Sequence, residues 1–268
     1  MKPAQILREL KKYPKKLLGQ HFLVDQAVVD EMITAGGLTG DEVVVEIGPG
    51  LGMLTFALLK KAERVIAIEI DYEFANYLRL KKHRRLLVVR GDALRVDWAA
   101  EIDGPFVIVS NIPYSITSPL LRKIFNLKNR PTRVILLVQK EMARRLSANA
   151  GSRERGLLTV LVEANANVRI IRTVKPGSFY PPPKTDSAII EIVLRRESLA
   201  PAVFWPAVEA GFRHKRQLLL NSLSRDLKLP KKELAEIWSQ ASLERQFRPS
   251  SLSLEQWLKL SVELKRRQ

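Results

Sequence analysis

Asn111-Ile112-Pro113-Tyr114 follows an apolar run, Phe106-Val107-Ile108-Val109, that reads as a buried strand, so four residues with chemical potential stand at a strand end. An amide that both accepts and donates, a proline with fixed φ and no N–H, and an aromatic ring make a clamp for a planar ring bearing an amine. The same residue types also make an ordinary polar turn. Three further features bear on the choice. Glu46-Ile47-Gly48-Pro49-Gly50-Leu51-Gly52 sets glycines between a strand and a helix, where the backbone can approach a ligand closely. A dinucleotide fingerprint wants glycine or alanine at its sixth place, where this chain has Met53, so a nucleoside-like cofactor without a diphosphate fits better. Glu69 ends the second strand, where a carboxylate can accept from both ribose hydroxyls, and Asp92 in Gly91-Asp92-Ala93 ends the third, where it can accept from an adenine's exocyclic amine.

The elements that must carry these residues follow from periodicity. Val28, Val29, Met32 and Ile33 recur at helical spacing within 26–35, and Gly36-Gly37 stops that helix. Strands are expected at 42–47, 64–70, 86–89, 106–109 and 133–138, and helices at 53–61, 72–81, 96–100, 119–125 and 140–147. Continuous apolar strands, each followed by a helix, predict a parallel sheet covered on both faces, with ligands outside the carboxyl ends of its strands. The polar stretch 149–156 reads as a mobile loop, 157–166 as a helix, and 168–174 and 187–194 as strands that complete a seven-stranded sheet with one antiparallel edge. Residues 177–184 between them cannot be a strand core, because Pro181-Pro182-Pro183 removes three consecutive donors. Beyond about 197 only helical periodicity remains, near 202–212, 216–227, 231–240 and 254–265. This gives an α/β domain over 1–196 and a small all-helical domain over 197–268.

Forty-five Lys and Arg against 28 Asp and Glu give a formal charge of +17 over 268 residues, which points to an anionic macromolecule and to nucleic acid before membrane. No apolar run approaches the roughly 18 residues needed to span a bilayer, and the basic segment 1–16 reads as a solvated or RNA-contacting arm, not a signal peptide. The absence of cysteine excludes disulfides and thiolate metal sites and is compatible with the cytoplasm, and three scattered histidines argue against zinc. Two basic clusters are candidate phosphate contacts: Arg79, Lys81, Lys82, Arg84 and Arg85, and Arg144, Arg145, Arg153 and Arg155 around the 149–156 loop.

Taken together, Gln20-His21-Phe22-Leu23, Glu46-Ile47-Gly48-Pro49-Gly50, Glu69-Ile70-Asp71, Gly91-Asp92-Ala93, Asn111-Ile112-Pro113-Tyr114, Gln139-Lys140-Glu141 and Phe179-Tyr180-Pro181-Pro182-Pro183-Lys184 resemble, in order, the ribosomal RNA adenine dimethyltransferases of the KsgA type. Phe212-Arg213-His214-Lys215-Arg216, Asn221-Ser222-Leu223 and Leu252-Ser253-Leu254 extend the resemblance over nearly the whole chain. It implies a Rossmann-like class I methyltransferase sheet that uses S-adenosylmethionine (SAM). The implied reaction puts two methyl groups on N6 of each of two adjacent adenosines in the 3′-terminal hairpin loop of small-subunit (16S-type) rRNA. The implied partner is a pre-ribosomal 30S-type particle, met by a cytoplasmic monomer with neither metal nor membrane.

Carried over by position, His21, Leu23, Gly48, Gly50, Glu69, Asp92 and Asn111 line the cofactor site. Asn111, the Ile112 carbonyl, Pro113 and Tyr114 hold the target base, and Phe179 closes its opposite face. The family commonly has Asn where this chain has His21, often has Tyr before the glycine where this chain has Arg155-Gly156, and has Arg-Arg-Lys where this chain reads Lys215-Arg216-Gln217. Two other readings stay open: a resistance-type adenine methyltransferase of large-subunit rRNA, and a non-catalytic assembly or transcription factor on the same fold.

Overall fold

The computed structural model describes residues 3–14, 19–200, 204–241, 243 and 247–266. The chain forms two compact units: Met1–Ala143 with Val168–Leu194, and Arg144–Asn167 with Arg195–Gln268. In chain order the elements are α1 (Pro3–Glu9), β1 (Phe22–Leu23), α2 (Gln26–Gly36), β2 (Val43–Ile47), α3 (Met53–Leu58), β3 (Arg64–Glu69), α4 (Tyr72–Arg79), β4 (Leu86–Arg90), β5 (Phe106–Asn111), α5 (Thr117–Phe125), β6 (Arg133–Gln139), α6 (Lys140–Leu146), α7 (Leu157–Asn165), β7 (Ala166–Val174), β8 (Phe179–Tyr180), β9 (Ser187–Leu194), α8 (Phe204–Arg213), α9 (Leu219–Asp226), α10 (Lys231–Gln240) and α11 (Leu254–Lys265). The expected start of α8 at 202, and residues 1, 2, 15 and 16 of the basic segment, lie outside the described residues.

Seven strands form one sheet in the order β4-β3-β2-β5-β6-β9-β7. Pairs β2/β3, β3/β4, β2/β5 and β5/β6 are parallel. Their β-branched runs are buried almost without interruption, as strands covered on both faces must be. The strand antiparallel to β6 is β9, and it lies inside the sheet; the edge is β7, whose exposed, Arg-bearing face suits an edge strand. Asp25 caps α2 through the Ala27 N–H, and Asp71 caps α4 through the Glu73 N–H, so each helix begins where its strand or turn delivers it.

The chain winds outward from β2 through β3 to β4, then returns to start again at β5 on the other side of β2, which makes the β2/β5 seam the topological switch point. The β2/β5 register runs Val43↔Phe106, Val44↔Val107 and Val45↔Ile108 and stops there. Past that point β2 stays with β3 as far as Ile47↔Ile68, and β5 stays with β6 as far as Asn111↔Leu137. The two strands therefore part at their carboxyl ends. The Ser110 hydroxyl spans the gap: it accepts from the Ile47 N–H at 3.2 Å and donates to the Ile47 carbonyl, satisfying both groups that the parting leaves without a backbone partner.

Three expectations change. Within the first unit α1 is no solvated arm, since Ile6 and Leu7 are buried against Phe22, Leu51 and Phe74. The second unit also takes in 144–167, ahead of the break read at 196, because Val160 of α7 belongs to the apolar cluster built by Phe204, Leu223, Trp238 and Trp257. Its 149–156 stretch is a tied turn: the Gly151 N–H donates to the Ser250 carbonyl at 2.8 Å, and Lys215 Nζ donates to the Arg153 carbonyl at 2.7 Å.

Removing the Ser110 hydroxyl strands two buried backbone groups at the seam. Ser110→Ala is predicted to lower stability by about 1–3 kcal/mol, read as an earlier midpoint in guanidinium unfolding. An unchanged midpoint would show that the parted strands need no such bridge.

Candidate active site

The parted ends of β2 and β5 open into a cleft of about 770 Å³ that communicates with solvent. Its walls come from residues 19–23, the glycine loop after β2, the end of β3 and the tetrapeptide after β5. The loop needs its glycines for two reasons. Gly50 has φ +54, in the left-handed region, and a Cβ there would stand 2.9 Å from the Phe22 ring. Gly48, at φ +69, brings bare backbone to the cleft beside Pro113.

Two acids lie in the walls. Glu69 is 4% exposed and accepts at both oxygens, from the Gly50 N–H at 3.0 Å and the Asp71 N–H at 2.8 Å. Burial raises its pKa and those two N–H groups work against the rise. Glu46, on the adjacent strand, is 2% exposed, and its Oε2 has no hydrogen-bond partner among the described residues. Burial, with Thr55 opposing and the Glu69 charge adding, pushes Glu46 up to about 8. Sequence reasoning quoted Glu46 but gave it no role. The usable signal was an acid set inside an otherwise apolar strand that reads as buried on both faces.

The tetrapeptide is held from three directions. Asn111 Nδ2 donates to the His21 carbonyl at 3.0 Å. Because a carbonyl can only accept, this bond fixes the amide orientation and leaves Oδ1 as the free acceptor. The Tyr114 hydroxyl shares a hydrogen bond of 2.7 Å with Ser187, and its carbonyl accepts from Thr117 Oγ1 at 3.1 Å. Burial raises the Tyr114 pKa, with the Ser187 bond lowering it, so the phenol stays protonated. His21 Nδ1 lies 2.8 Å from the Pro181 carbonyl, which requires the proton on Nδ1, and its ring stacks on Tyr114 at 6.1 Å between centroids and 24° between planes. His21 is thus committed through one ring nitrogen and one ring face.

His21, Leu23, Gly48, Gly50, Glu69, Asn111, Ile112, Pro113 and Tyr114 all line the cleft. Asp92 and Phe179 are not among its lining residues. The Asp92 carboxylate stands in the loop after β4, where Oδ1 accepts from the Leu94 N–H at 2.9 Å and Oδ2 lies 3.7 Å from Arg95 Nε. Phe179 is 3% exposed and sits in the core with Leu23, Val174 and Ile189, while its backbone pairs with Leu23 in the β1/β8 ribbon. The exposed clamp expected of Phe179 is therefore replaced by an anchoring one, since its ring fixes the ribbon that carries His21 to the cleft rim.

Several expected phosphate contacts are spoken for. Arg79 donates to the Val88 carbonyl, Arg85 to the Leu59 and Ala62 carbonyls, and the exposed Lys81 lies over the Tyr77 ring, while Lys82 and Arg84 are also exposed. Arg155 is 1% exposed, pairs with Glu163 at 2.6 Å and donates to the Ala148 carbonyl, so it is a buried strut of the second unit while Arg144, Arg145 and Arg153 remain exposed. Among the described residues no His, Asp and Glu cluster is able to hold a metal ion, and no helix is long and apolar enough to cross a membrane.

Residues 12–265 match the family model described as ribosomal RNA adenine dimethylase. A ribosomal RNA small subunit methyltransferase A of Dehalococcoides mccartyi is 37% identical over 258 residues, covering 93% of this chain and 88% of the relative. Among solved structures, a dimethyladenosine transferase from Plasmodium falciparum superposes with a TM-score of 0.80 at 27% identity, over 92% of this chain and 98% of that one. The 23S rRNA methyltransferase ErmE gives 0.71 at 28% identity, over 91% and 99%.

The Glu46 carboxyl supplies a measurable signature of the cleft. Folded protein keeps its proton up to about 8, whereas the unfolded chain releases it near the ordinary value of 4.5. The stability attached to that proton is therefore full at low pH and is lost as pH rises from the lower value toward the upper. Glu46→Gln, which cannot ionise, is predicted to gain stability over the natural protein progressively across that window in urea unfolding without ligand. A gain that does not vary with pH would mean that Glu46 is already charged in the fold.

Proposed function

The chain belongs to the ribosomal RNA adenine dimethylase family, and from that premise and the cleft geometry we propose that it transfers methyl groups from SAM to N6 of two adjacent adenosines. The target is the 3′-terminal hairpin loop of small-subunit rRNA, and each adenosine receives two methyls. The observation that carries this reading is the pinned amide of Asn111, which lines with Tyr114 a cleft that also holds Glu46 and Glu69.

The cleft suits a cationic nucleoside. Glu46, buried with an unpartnered oxygen, is matched to an ammonium group, whose charge would offset the cost of ionising the acid. Glu69 has both oxygens oriented by backbone N–H groups and keeps acceptor capacity for ribose hydroxyls. The backbone of Gly48 and Gly50, with Leu23 in the same lining, completes the cradle, and Asp92, in the loop after β4, would accept from the adenine amine. When bound, SAM supplies a methyl group activated by a sulfonium.

The chain's own task is to present a poor nucleophile, since the exocyclic nitrogen of adenine delocalises its lone pair into the ring. Asn111 Oδ1 and the Ile112 carbonyl accept from the two N6 hydrogens, favouring a pyramidal nitrogen whose lone pair is free to react. Tyr114 stacks on the extruded base, a contact worth roughly 1–3 kcal/mol. Its bond to Ser187 keeps the ring from turning. Positioning carries the rate, and the proton can leave after transfer, so no strong base is needed.

The partner in this reading is a pre-ribosomal 30S-type particle, engaged by a cytoplasmic monomer whose exposed Lys82, Arg84, Arg144, Arg145 and Arg153 meet phosphates. The charge of +17 supports it.

Mass spectrometry of rRNA from pre-ribosomal particles incubated with SAM tests the reading. The natural protein is predicted to yield dimethyladenosine at two neighbouring small-subunit positions. Asn111→Ala is predicted to lose at least about a hundredfold in rate while binding particles as before. Methylation confined to large-subunit rRNA, or none with the natural protein, would overturn the assignment.

A further inference from the structure

The loop from β4 to β5 carries Asp92 and has a fastening of its own. Its Ala93 carbonyl accepts two hydrogen bonds, one from Trp98 Nε1 and one from Lys123 Nζ, each at 2.9 Å. Lys123 Nζ also donates to the Val96 carbonyl and stands 5.5 Å from the centroid of the Trp98 ring. Trp98 itself is fully buried, edge-on to Phe106 of β5 at 6.2 Å. One ammonium group therefore bridges both sides of the turn that presents Asp92, across the face of a fixed indole.

Lys123 belongs to α5, whose first residue, Thr117, donates to the Tyr114 carbonyl at 3.1 Å. The same short helix thus starts at the tetrapeptide and ends by gripping the Asp92 loop. Burial lowers the Lys123 pKa, while the charges of Asp97 and Asp92 oppose that, so the carboxylates in the loop help to keep the ammonium protonated.

We propose that Lys123 is a positioning residue for cofactor recognition: by tying Ala93 and Val96 to α5 it holds the Asp92 carboxylate where it accepts a hydrogen bond from the exocyclic amine of the cofactor's adenine. The inference rests on the reading of Asp92 given above. A methionine at 123 keeps most of the aliphatic stem but has no donors. The Val96 carbonyl then has only water to turn to, and Ala93 is left with Trp98 alone. The turn gains freedom, and a carboxylate that must meet an N–H at a fixed angle is the group most sensitive to that freedom.

The test is calorimetric binding of two probes to the full chain: S-adenosylhomocysteine, which has the amine, and S-inosylhomocysteine, in which an oxo group replaces it. The natural protein is expected to prefer the adenosine probe by about tenfold or more, the value of one well-made hydrogen bond to a charged group. In Lys123→Met that preference is expected to fall to about twofold or less, with the inosine probe bound about as before and the melting temperature little changed. Lys123→Gln, which can still donate to one carbonyl, is expected to retain an intermediate preference and serves in place of the methionine variant if that does not fold. Undiminished preference in either variant would overturn the role of Lys123. A natural protein that binds both probes equally would instead overturn the reading of Asp92, and one that binds neither would overturn the cofactor itself.

Discussion

The site depends on two parallel strands that part before they end, β2 two residues short and β5 three. β2 and β5 are each fully committed on their outer sides, to β3 and β6, so they cannot close on one another without breaking those ladders. Twist then opens the seam at the carboxyl end. An opened seam exposes backbone groups in the middle of a sheet, and the Ser110 hydroxyl resolves this by acting as donor and acceptor to one residue, Ile47. The glycine loop after Ile47 and Asn111 both line the cleft that the parting opens.

Charge follows from that geometry. A gap lined by apolar strands is a poor solvent for anions, yet two carboxyl groups stand in it. They are handled differently. Glu69 is given two backbone N–H groups, which keep its position and part of its solvation. Glu46 is given almost nothing, and its raised pKa is the measure of that neglect. The cleft thus holds one acid that is oriented and one whose charge has no partner among the described residues. On the proposed reading, a ligand with an ammonium group and a sulfonium would satisfy that second acid, whereas a diphosphate would add to the repulsion, in line with Met53 in place of the glycine that a dinucleotide loop uses.

The sheet and the rim were legible because they are written in periodicity: runs of buried β-branched residues, glycines after a strand, and a polar tetrapeptide at a strand end. What periodicity does not encode is where a long side chain spends its charge. Arg155 looks like a phosphate contact in a polar loop, but it is buried under Glu163. Arg79 and Arg85 look like a basic face, but each caps carbonyls of its own fold. Phe179 follows the same rule for an aromatic: adjacent prolines suggest an exposed clamp, while its pairing with Leu23 turns the ring inward. Ser110 and Lys123 escaped notice because a serine in a strand and a lysine on an amphipathic helix are unremarkable until their partners are known. Both partners are backbone carbonyls or N–H groups that no sequence pattern marks.

Dimethylation places a specific demand on this architecture. On the proposed reading, the unmethylated amine offers two N–H groups, to Asn111 Oδ1 and the Ile112 carbonyl, but after one transfer it offers a single N–H. Asn111 cannot adapt by flipping its amide, because its Nδ2 is held by the His21 carbonyl, and that carbonyl belongs to a ribbon anchored by Phe179. Nor can Tyr114 swing away to make room, since Ser187 holds its hydroxyl and α5 begins on its carbonyl. Accommodation must therefore come from the substrate, by rotation about the bond between the adenine ring and N6, with the first methyl moving to the side from which one acceptor has been released. A rigid acceptor pair then works twice because losing one hydrogen bond costs about 1 kcal/mol, much less than the tens of kcal/mol by which an unaided methyl transfer is opposed. The same rigidity explains why the slot is braced from three separate segments of the chain: the enzyme gives up adaptability at the amine and keeps the base where both transfers can reach it.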